Sequence, residues 1–285
     1  MSKLERFLCV FAIKKRKLRL KNSENISKTY NGPVIVIVGP TASGKTGAAI
    51  SLAKKIGGEI ISADSRAIYK YMDIGTAKPS LEEQDGVPHF GLDLVEPGER
   101  FTVADFKEYT EARIAEIRER GHVPIIAGGT GLYIDALVFD YKFDGLSKDK
   151  NHGTPEGNKE AKEYKDRVQM SKEFKVFGIS WESEELRERI SKRMQGMYFE
   201  KLYDETRFLV SKYGWGSQAM KSNVYQFVDK YLKGELTLNE AVEQSAYSDY
   251  RLAKKQMTWF KRNREIKWFR LDRLEQEILK VLGRR

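Results

Sequence analysis

The chain has 285 residues, 40% of them apolar, enough for one large core or one core carrying a smaller appendage. One cysteine, Cys9, excludes an internal disulfide framework and a cysteine zinc site, and the scattered His89, His122 and His152 offer no metal cluster. A formal net charge of +10 points to a polyanionic partner such as nucleic acid, and no apolar run approaches the roughly 20 residues of a membrane span, so a cytoplasmic chain with no membrane partner is expected.

In chain order, residues 1–31 read as a basic N-terminal tail. The apolar patch in "LERFLCVFAIKKRKLRLK" precedes the basic cluster from Lys14 to Lys21. A signal peptide carries its charges first, so the stretch reads as a frayed end or as an arm that touches RNA. Val34 to Val38 is a buried strand, and Lys45 to Ile56 the helix after it, with Ala48, Ala49, Leu52 and Ala53 on the packed side. Glu59 to Ser62 forms a second strand. Phe101 to Arg120 is helical, with Val103, Phe106, Ile114 and Ile117 at helical spacing and Gly121 just past its end. "VPIIAGG" is a third strand and "GTGLYIDAL" the next helix.

Residues 141–175 are polar and rich in Gly, Pro and Asn signals, which suits an inserted loop or a small helical excursion. Val176 to Trp181 returns as a strand, and amphipathic helices fill Glu184 to Lys212 and Leu238 to Arg262. Strands alternating with helices predict an α/β fold: a P-loop NTPase-like parallel sheet flanked by helices, with a reduced polar or helical insertion and a helical C-terminal part. The core domain is then 32–140 and 176–285, with the insertion at 141–175.

The loop between the first strand and helix carries the strongest signal. Gly39, Gly44, Lys45 and Thr46 satisfy G-x-x-x-x-G-K-[ST], which arises by chance in about 1% of chains this long. Gly39, Pro40, Thr41, Ala42, Ser43, Gly44, Lys45 and Thr46 are therefore the candidate diphosphate- or nucleotide-binding residues. The glycines let backbone N–H groups converge on phosphate oxygens, the helix N-terminus adds positive potential, Lys45 brings a mobile charge, and the Thr46 hydroxyl can hold Mg²⁺. An NTPase or kinase normally adds a carboxylate at a neighbouring strand end. The strand in "VPIIAGGTGLY" ends instead in Gly128, Gly129 and Thr130, which disfavours a P-loop small-molecule kinase.

The strand after the loop ends in Asp64, at the carboxyl edge that a parallel sheet shares with the loop. Asp64 is a candidate general base or magnesium ligand, or a structural cap of the next turn. "DIGTAKP" adds Thr76 and Lys78 on a loop shaped by Gly75 and Pro79 over or beside the site. Between Arg251 and Arg270 eight cations meet one acid, Glu265, a surface suited to phosphate contacts. Of its interleaved aromatics, Trp259 and Phe260 read as core; Trp268 and Phe269 remain candidates for stacking on bases.

"GPTASGKT", "ADSRAIYKYMDIGTAKP", "VPIIAGGTGLYIDAL", "LRERISKRM" and "RLAKKQMTWFKR", in this order, resemble the tRNA dimethylallyltransferase family over most of 33–140 and more loosely over 176–270. The resemblance implies that Thr41 to Thr46 grip the diphosphate of dimethylallyl diphosphate with Mg²⁺ as cofactor. It implies that Asp64 is the base at an adenine exocyclic amine, that Asp64, Ser65, Arg66 and Ala67 lie against the RNA, and that Thr130 sits near the reacting centre. The implied enzyme is a prenyltransferase, a monomer acting on the adenosine 3′ of the anticodon in the tRNA anticodon stem-loop. Asp64, Thr130 and Lys45 are then catalytic, and Lys221, Gln226 and Arg251 join the RNA contacts.

Three departures stand out. The family's helical insertion shrinks here to 141–175, without its Asp/Arg-containing motif. Val224-Tyr225-Gln226 stands where the family has Gly-Tyr-Arg or Gly-Tyr-Lys, with Lys221 as the nearby replacement cation. Arg66-Ala67 stands where glutamine is common at the second position. They keep two alternatives open: prenyl transfer to a free adenine nucleotide, and a catalytically impaired RNA- or diphosphate-binding protein.

Overall fold

Five β-branched residues in a row, Val34–Val38 (β1), make a strand with every side chain buried, as befits the centre of a parallel sheet covered on both faces. The computed structural model describes residues 29–143, 169–199, 201–217, 219–221 and 223–284. The basic cluster of the tail, Cys9 and most of the 141–175 insertion lie outside the described residues.

After β1 come α1 (Lys45–Ile56), β2 (Gly58–Ser62), β3 (His89–Phe90), α2 (Val103–Glu119), β4 (Val123–Gly128), α3 (Gly131–Val138) and β5 (Phe174–Ile179). They are followed by α4 (Ser183–Phe199), α5 (Leu202–Tyr213), a 3₁₀ turn (Ala219–Lys221), α6 (Asn223–Leu232), α7 (Leu238–Phe260), β6 (Lys267–Phe269) and α8 (Leu271–Val281). The sheet is wholly parallel in the order β3-β2-β4-β1-β5-β6. Alternate residues of β1 feed two cores. Val34, Val36 and Val38 pack with Phe106, Ile134 and Phe260; Ile35 and Ile37 pack with Leu52, Ile125 and Phe177.

The fold class is as the alternation predicts, with four local corrections. β5 begins at Phe174 because its register with β1 starts there, opposite Val34. The expected helix from Glu184 to Lys212 is two helices, with Lys201 left-handed (φ 65°) as the N-cap of α5. The edge strands β3 and β6 hold two and three residues, too few to show a period. α6 and α8 occupy stretches to which the sequence reading assigns no element, although both are amphipathic.

A third core lies in the helical part, where Met194, Leu209, Tyr225 and Val228 pack on Ile68 and Met72 of the loop after β2. The C-terminal helices are thereby fixed to the segment that carries Asp64. No helix among the described residues is long and apolar enough to cross a membrane.

Gly196, within α4, has nothing within 4 Å of where a Cβ would stand. Gly196→Ala is expected to stabilise the fold by about 0.5–1 kcal/mol by lowering the entropy of the unfolded chain. A higher denaturant midpoint at unchanged m-value checks it; an unchanged or lower midpoint overturns it.

Candidate active site

β1 sits between β4 and β5, so the chain turns to opposite sides of it and a crevice opens at its carboxyl end. The phosphate loop fills that position. Ala42 (φ 59°) and Gly44 (φ 89°) are left-handed, which curls the loop, and carbonyls of the loop are held from outside it. The Arg189 Nε–H donates to the Ala42 carbonyl at 2.9 Å, and the Trp181 indole N–H to the Ser43 carbonyl at 3.0 Å. Gly44 caps α1 without a side-chain hydrogen bond, so the positive end of the helix is left open to an anion. Gly39 has little room for a side chain: a Cβ would stand 3.0 Å from Ser43 Oγ and 3.2 Å from the Ile179 carbonyl oxygen.

Lys45 folds back over this loop and donates to the Pro40 carbonyl at 2.6 Å. Burial brings its ammonium down to about 8; Asp64 pulls it up and Arg193 pushes it further down. Asp64 is thus within the electrostatic reach of Lys45, and the loop and the candidate base share one space.

Asp64 is set by contact between two strand ends. β4 comes so close that a Cβ on Gly128 would lie 2.2 Å from the Ala63 carbonyl oxygen. The Thr130 N–H donates to that same oxygen at 3.2 Å. The Thr130 hydroxyl accepts the Ser65 N–H at 2.9 Å and donates to the Ser65 hydroxyl at 3.2 Å. Asp64 Oδ1 accepts the Arg66 N–H at 2.8 Å, so one oxygen performs the capping role as well. Thr130 therefore acts on the position of the Asp64 segment.

Three residues to which the sequence alone assigns no role complete the site. Gln256 of α7 accepts the Thr41 N–H at 2.7 Å and donates to the Gly129 carbonyl at 3.1 Å, bridging the phosphate loop and the β4 edge. Arg193 of α4 donates to Thr41 Oγ1 at 2.6 Å and forms an ion pair with Asp249 of α7. Its Nε–H is buried and has no partner among the described residues. An unpaired buried donor on a cation at the mouth of a phosphate loop suits an anionic ligand.

The other expected site residues differ in exposure. Thr46 is exposed at the start of α1, Ser65 and Arg66 are half-buried near Asp64, and Gln226 and Arg251 are exposed on α6 and α7. Ala67 is 4% exposed and its side chain belongs to packing. Lys221 lies in the 3₁₀ turn, and its side chain is outside the described residues.

Lys78 is not a solvated cation above the site: it bridges Asp73 and Asp93 at 2.6 Å each and donates to the Tyr69 carbonyl at 2.9 Å. The Glu205 carboxylate accepts the N–H groups of Asp73, Ile74 and Gly75 and the Tyr225 hydroxyl, which ties that loop to α5 and α6. In the basic segment the aromatics are structural. Phe260 is in the core, Trp259 donates to Asp135 at 2.8 Å, and Trp268 covers Gly178. Arg251, Lys254, Lys255, Lys261, Arg262, Arg264 and Lys267 remain exposed.

A family model described as IPP transferase matches residues 67–175 and 151–263. The chain is 36% identical to a tRNA dimethylallyltransferase of Staphylococcus haemolyticus, over 86% of this chain and 89% of that one. It is 37% identical to one of Acetivibrio thermocellus, over 87% and 96%. A crystal structure of tRNA delta(2)-isopentenylpyrophosphate transferase from Staphylococcus epidermidis superposes at a TM-score of 0.75 and 32% identity, covering 90% of this chain and all of that one. A eukaryotic dimethylallyltransferase acting on tRNA shares the fold, with a TM-score of 0.75 at 20% identity. The S. haemolyticus alignment spans 295 positions but uses 86% of these 285 residues, about 245, so about 50 positions of the relative have no counterpart here.

Proposed function

This chain belongs to the IPP transferase family, and we propose that it moves the dimethylallyl group of dimethylallyl diphosphate onto the exocyclic amine of the adenosine 3′ of the anticodon, releasing diphosphate. It is an enzyme, a prenyltransferase that acts on tRNA. The observation that carries the mechanism is the single edge shared by the phosphate loop and Asp64, with Thr130 and Gln256 fixing the parts to one another.

The reaction breaks the allylic C–O bond and forms an N–C bond. The electron pair of the broken bond leaves with the diphosphate, and the amine loses a proton. Loop N–H groups, Lys45 and the unpaired Arg193 Nε–H receive the growing negative charge on the departing oxygens. Asp64 accepts the proton, which helps because the amine's lone pair is delocalised into the ring. The adenine must leave its stack to reach this edge, and the exposed cations of 251–270 are placed to hold the flanking phosphates.

Mg²⁺ fits this donor set. The exposed Thr46 hydroxyl would be an oxygen ligand, while no group of three or more His, Cys, Asp or Glu among the described residues forms a cage. Such a site suits a cation whose shell is completed by diphosphate oxygens and water. When bound, Mg²⁺ neutralises charge on the leaving diphosphate. The site is assembled within one chain, which supports action as a monomer, and a cytoplasmic location suits a tRNA substrate.

Incubation with dimethylallyl diphosphate, Mg²⁺ and tRNA from a strain lacking the modification, read by nucleoside mass spectrometry, tests the reading. Prenylated adenosine 3′ of the anticodon is expected; prenyl-AMP in a parallel reaction, with unmodified tRNA, overturns it. The roughly 50 unmatched positions of the relative are the observation that favours that second acceptor.

Lys45 sets a pH limit. Its folded-state value of about 8 means that the free enzyme loses this charge as pH rises through 8, so kcat/KM for the donor is expected to fall above it. Bound diphosphate raises the lysine's affinity for its proton, so kcat at saturating donor should hold to higher pH. Lys45→Met should abolish this limb and raise the donor KM about tenfold or more. A limb that persists in the variant overturns the assignment.

A further inference from the structure

Asp249 is a carboxylate in a place where one is costly. It lies on α7, 8% exposed, and burial together with the charge of Asp64 raises its pKa. A buried carboxylate is tolerated when a hydrogen-bonded cation faces it. Here that cation is Arg193, which reaches across from α4 and donates to Thr41 Oγ1 at 2.6 Å with the same guanidinium nitrogen that meets Asp249. The order Asp249, Arg193, Thr41 forms a chain of contacts that ends in the phosphate loop.

Left to itself, Arg193 has reason to be elsewhere. Lys45 already places a cation at the loop, and the two repel. A guanidinium on a long, flexible stem relieves that repulsion by swinging into water. The groups that face Asp249 are Arg193 from α4 and, more distantly, Asp64 from the end of β2. Only the first attracts it. Two helical turns further along α7, Gln256 braces the Thr41 N–H, so a single helix sets both the backbone and the cation of this part of the loop.

We propose that Asp249 is a positioning residue: it holds the Arg193 guanidinium over the phosphate loop so that the buried Nε–H is presented to the diphosphate of the donor. The inference rests on the reading that the loop holds this diphosphate. It differs from a plain α4–α7 ion pair, which contributes to stability and leaves the donor terms alone.

Four variants decide it: Asp249→Ala, Asp249→Asn, Arg193→Ala and the Asp249→Ala/Arg193→Ala pair. Initial rates are measured against dimethylallyl diphosphate at saturating tRNA and against tRNA at saturating donor, with melting midpoints in parallel. Asp249→Ala is expected to lower kcat/KM for the donor about tenfold or more with the tRNA KM unchanged. Asp249→Asn, which keeps the shape and an oxygen that accepts from the guanidinium, should recover part of the loss. The double variant should be no worse than Arg193→Ala alone. A lower melting midpoint with wild-type donor kcat/KM, an equal rise in both KM values, or a double variant whose loss is the product of the single losses overturns the proposal. Calorimetric binding of inorganic diphosphate to the same proteins separates the outcomes even if the wild type prenylates neither tRNA nor AMP. Asp249→Ala and Arg193→Ala must then weaken diphosphate binding alike, and a wild-type affinity in Asp249→Ala overturns the proposal.

Discussion

Asp64→Ala is expected to lower kcat by about 10² or more while the affinity for dimethylallyl diphosphate stays within about threefold of wild type. The asymmetry follows from where the residue sits. On the proposed reading the donor's diphosphate is gripped by backbone N–H groups, Lys45 and Arg193, none of which depends on Asp64 for a direct hydrogen bond. In the same reading the proton of the attacking amine goes to Asp64, a carboxylate held at this edge by its own Arg66 N–H contact and by the Thr130–Ser65 pair. Removing the carboxylate also removes the negative neighbour that raises Lys45, so the donor kcat/KM limb should move to lower pH in this variant. Measuring kcat and the donor dissociation constant separately divides the two possible duties of Asp64. A collapse of Mg²⁺-dependent donor affinity with little change in kcat identifies it as a metal ligand first and a base second, and near-normal turnover removes it from the chemistry.

How much of the site is legible in the sequence depends on how local the signal is. β1 and α1 stand at the residues the apolar run and the helical spacing indicate, because a five-residue β-branched strand and a glycine-bounded helix are written in contiguous sequence. Asp64 is found by topology: a parallel sheet puts successive strand ends at one edge, and β2 lies one strand from β1 with β4 between them. Arg193, Asp249 and Gln256 are not found this way. Each is one polar residue on an amphipathic helix, and periodicity tells which face is apolar, not which charge on the boundary meets a loop some 150 to 215 positions earlier.

Lys78 is a residue whose role the sequence leaves open. A lysine in a Gly- and Pro-shaped loop beside a phosphate site invites a ligand role, but Asp73 and Asp93 surround it. The break at Lys201 is invisible in the sequence because no Gly or Pro marks it; a lysine takes the left-handed turn there.

Gly128→Ala is expected to cost about 1–3 kcal/mol of stability and to lower kcat by about 10²-fold, while diphosphate binding at the loop persists. As sequence, "AGGT" is informative for the acid it lacks. The structure gives its first glycine a positive reason. An added Cβ would stand 2.2 Å from the Ala63 carbonyl oxygen and 2.4 Å from its carbon, and these are backbone atoms that no rotamer change can remove. β2 and β4 are paired up to Ser62 and Ala127, and the Ala63 N–H donates to the Ala127 carbonyl at 2.9 Å, so the two ends cannot part by a local twist alone. They must separate by about 1 Å to reach ordinary contact, and the next residue carried along is Asp64. The Thr130 N–H loses the Ala63 oxygen in the same movement. Gly129→Ala is the internal comparison. Its Cβ meets the Gln256 side-chain amide at 2.5 Å, a flexible group that can turn away at the expense of its brace on Thr41. The loss should therefore be smaller in kcat and fall on the donor KM instead. If Gly128→Ala turns over at the wild-type rate, the contact between the β2 and β4 ends is not what sets the base. If Gly129→Ala is the more damaging in kcat, the Gln256 bridge governs the reacting geometry more than the strand ends do.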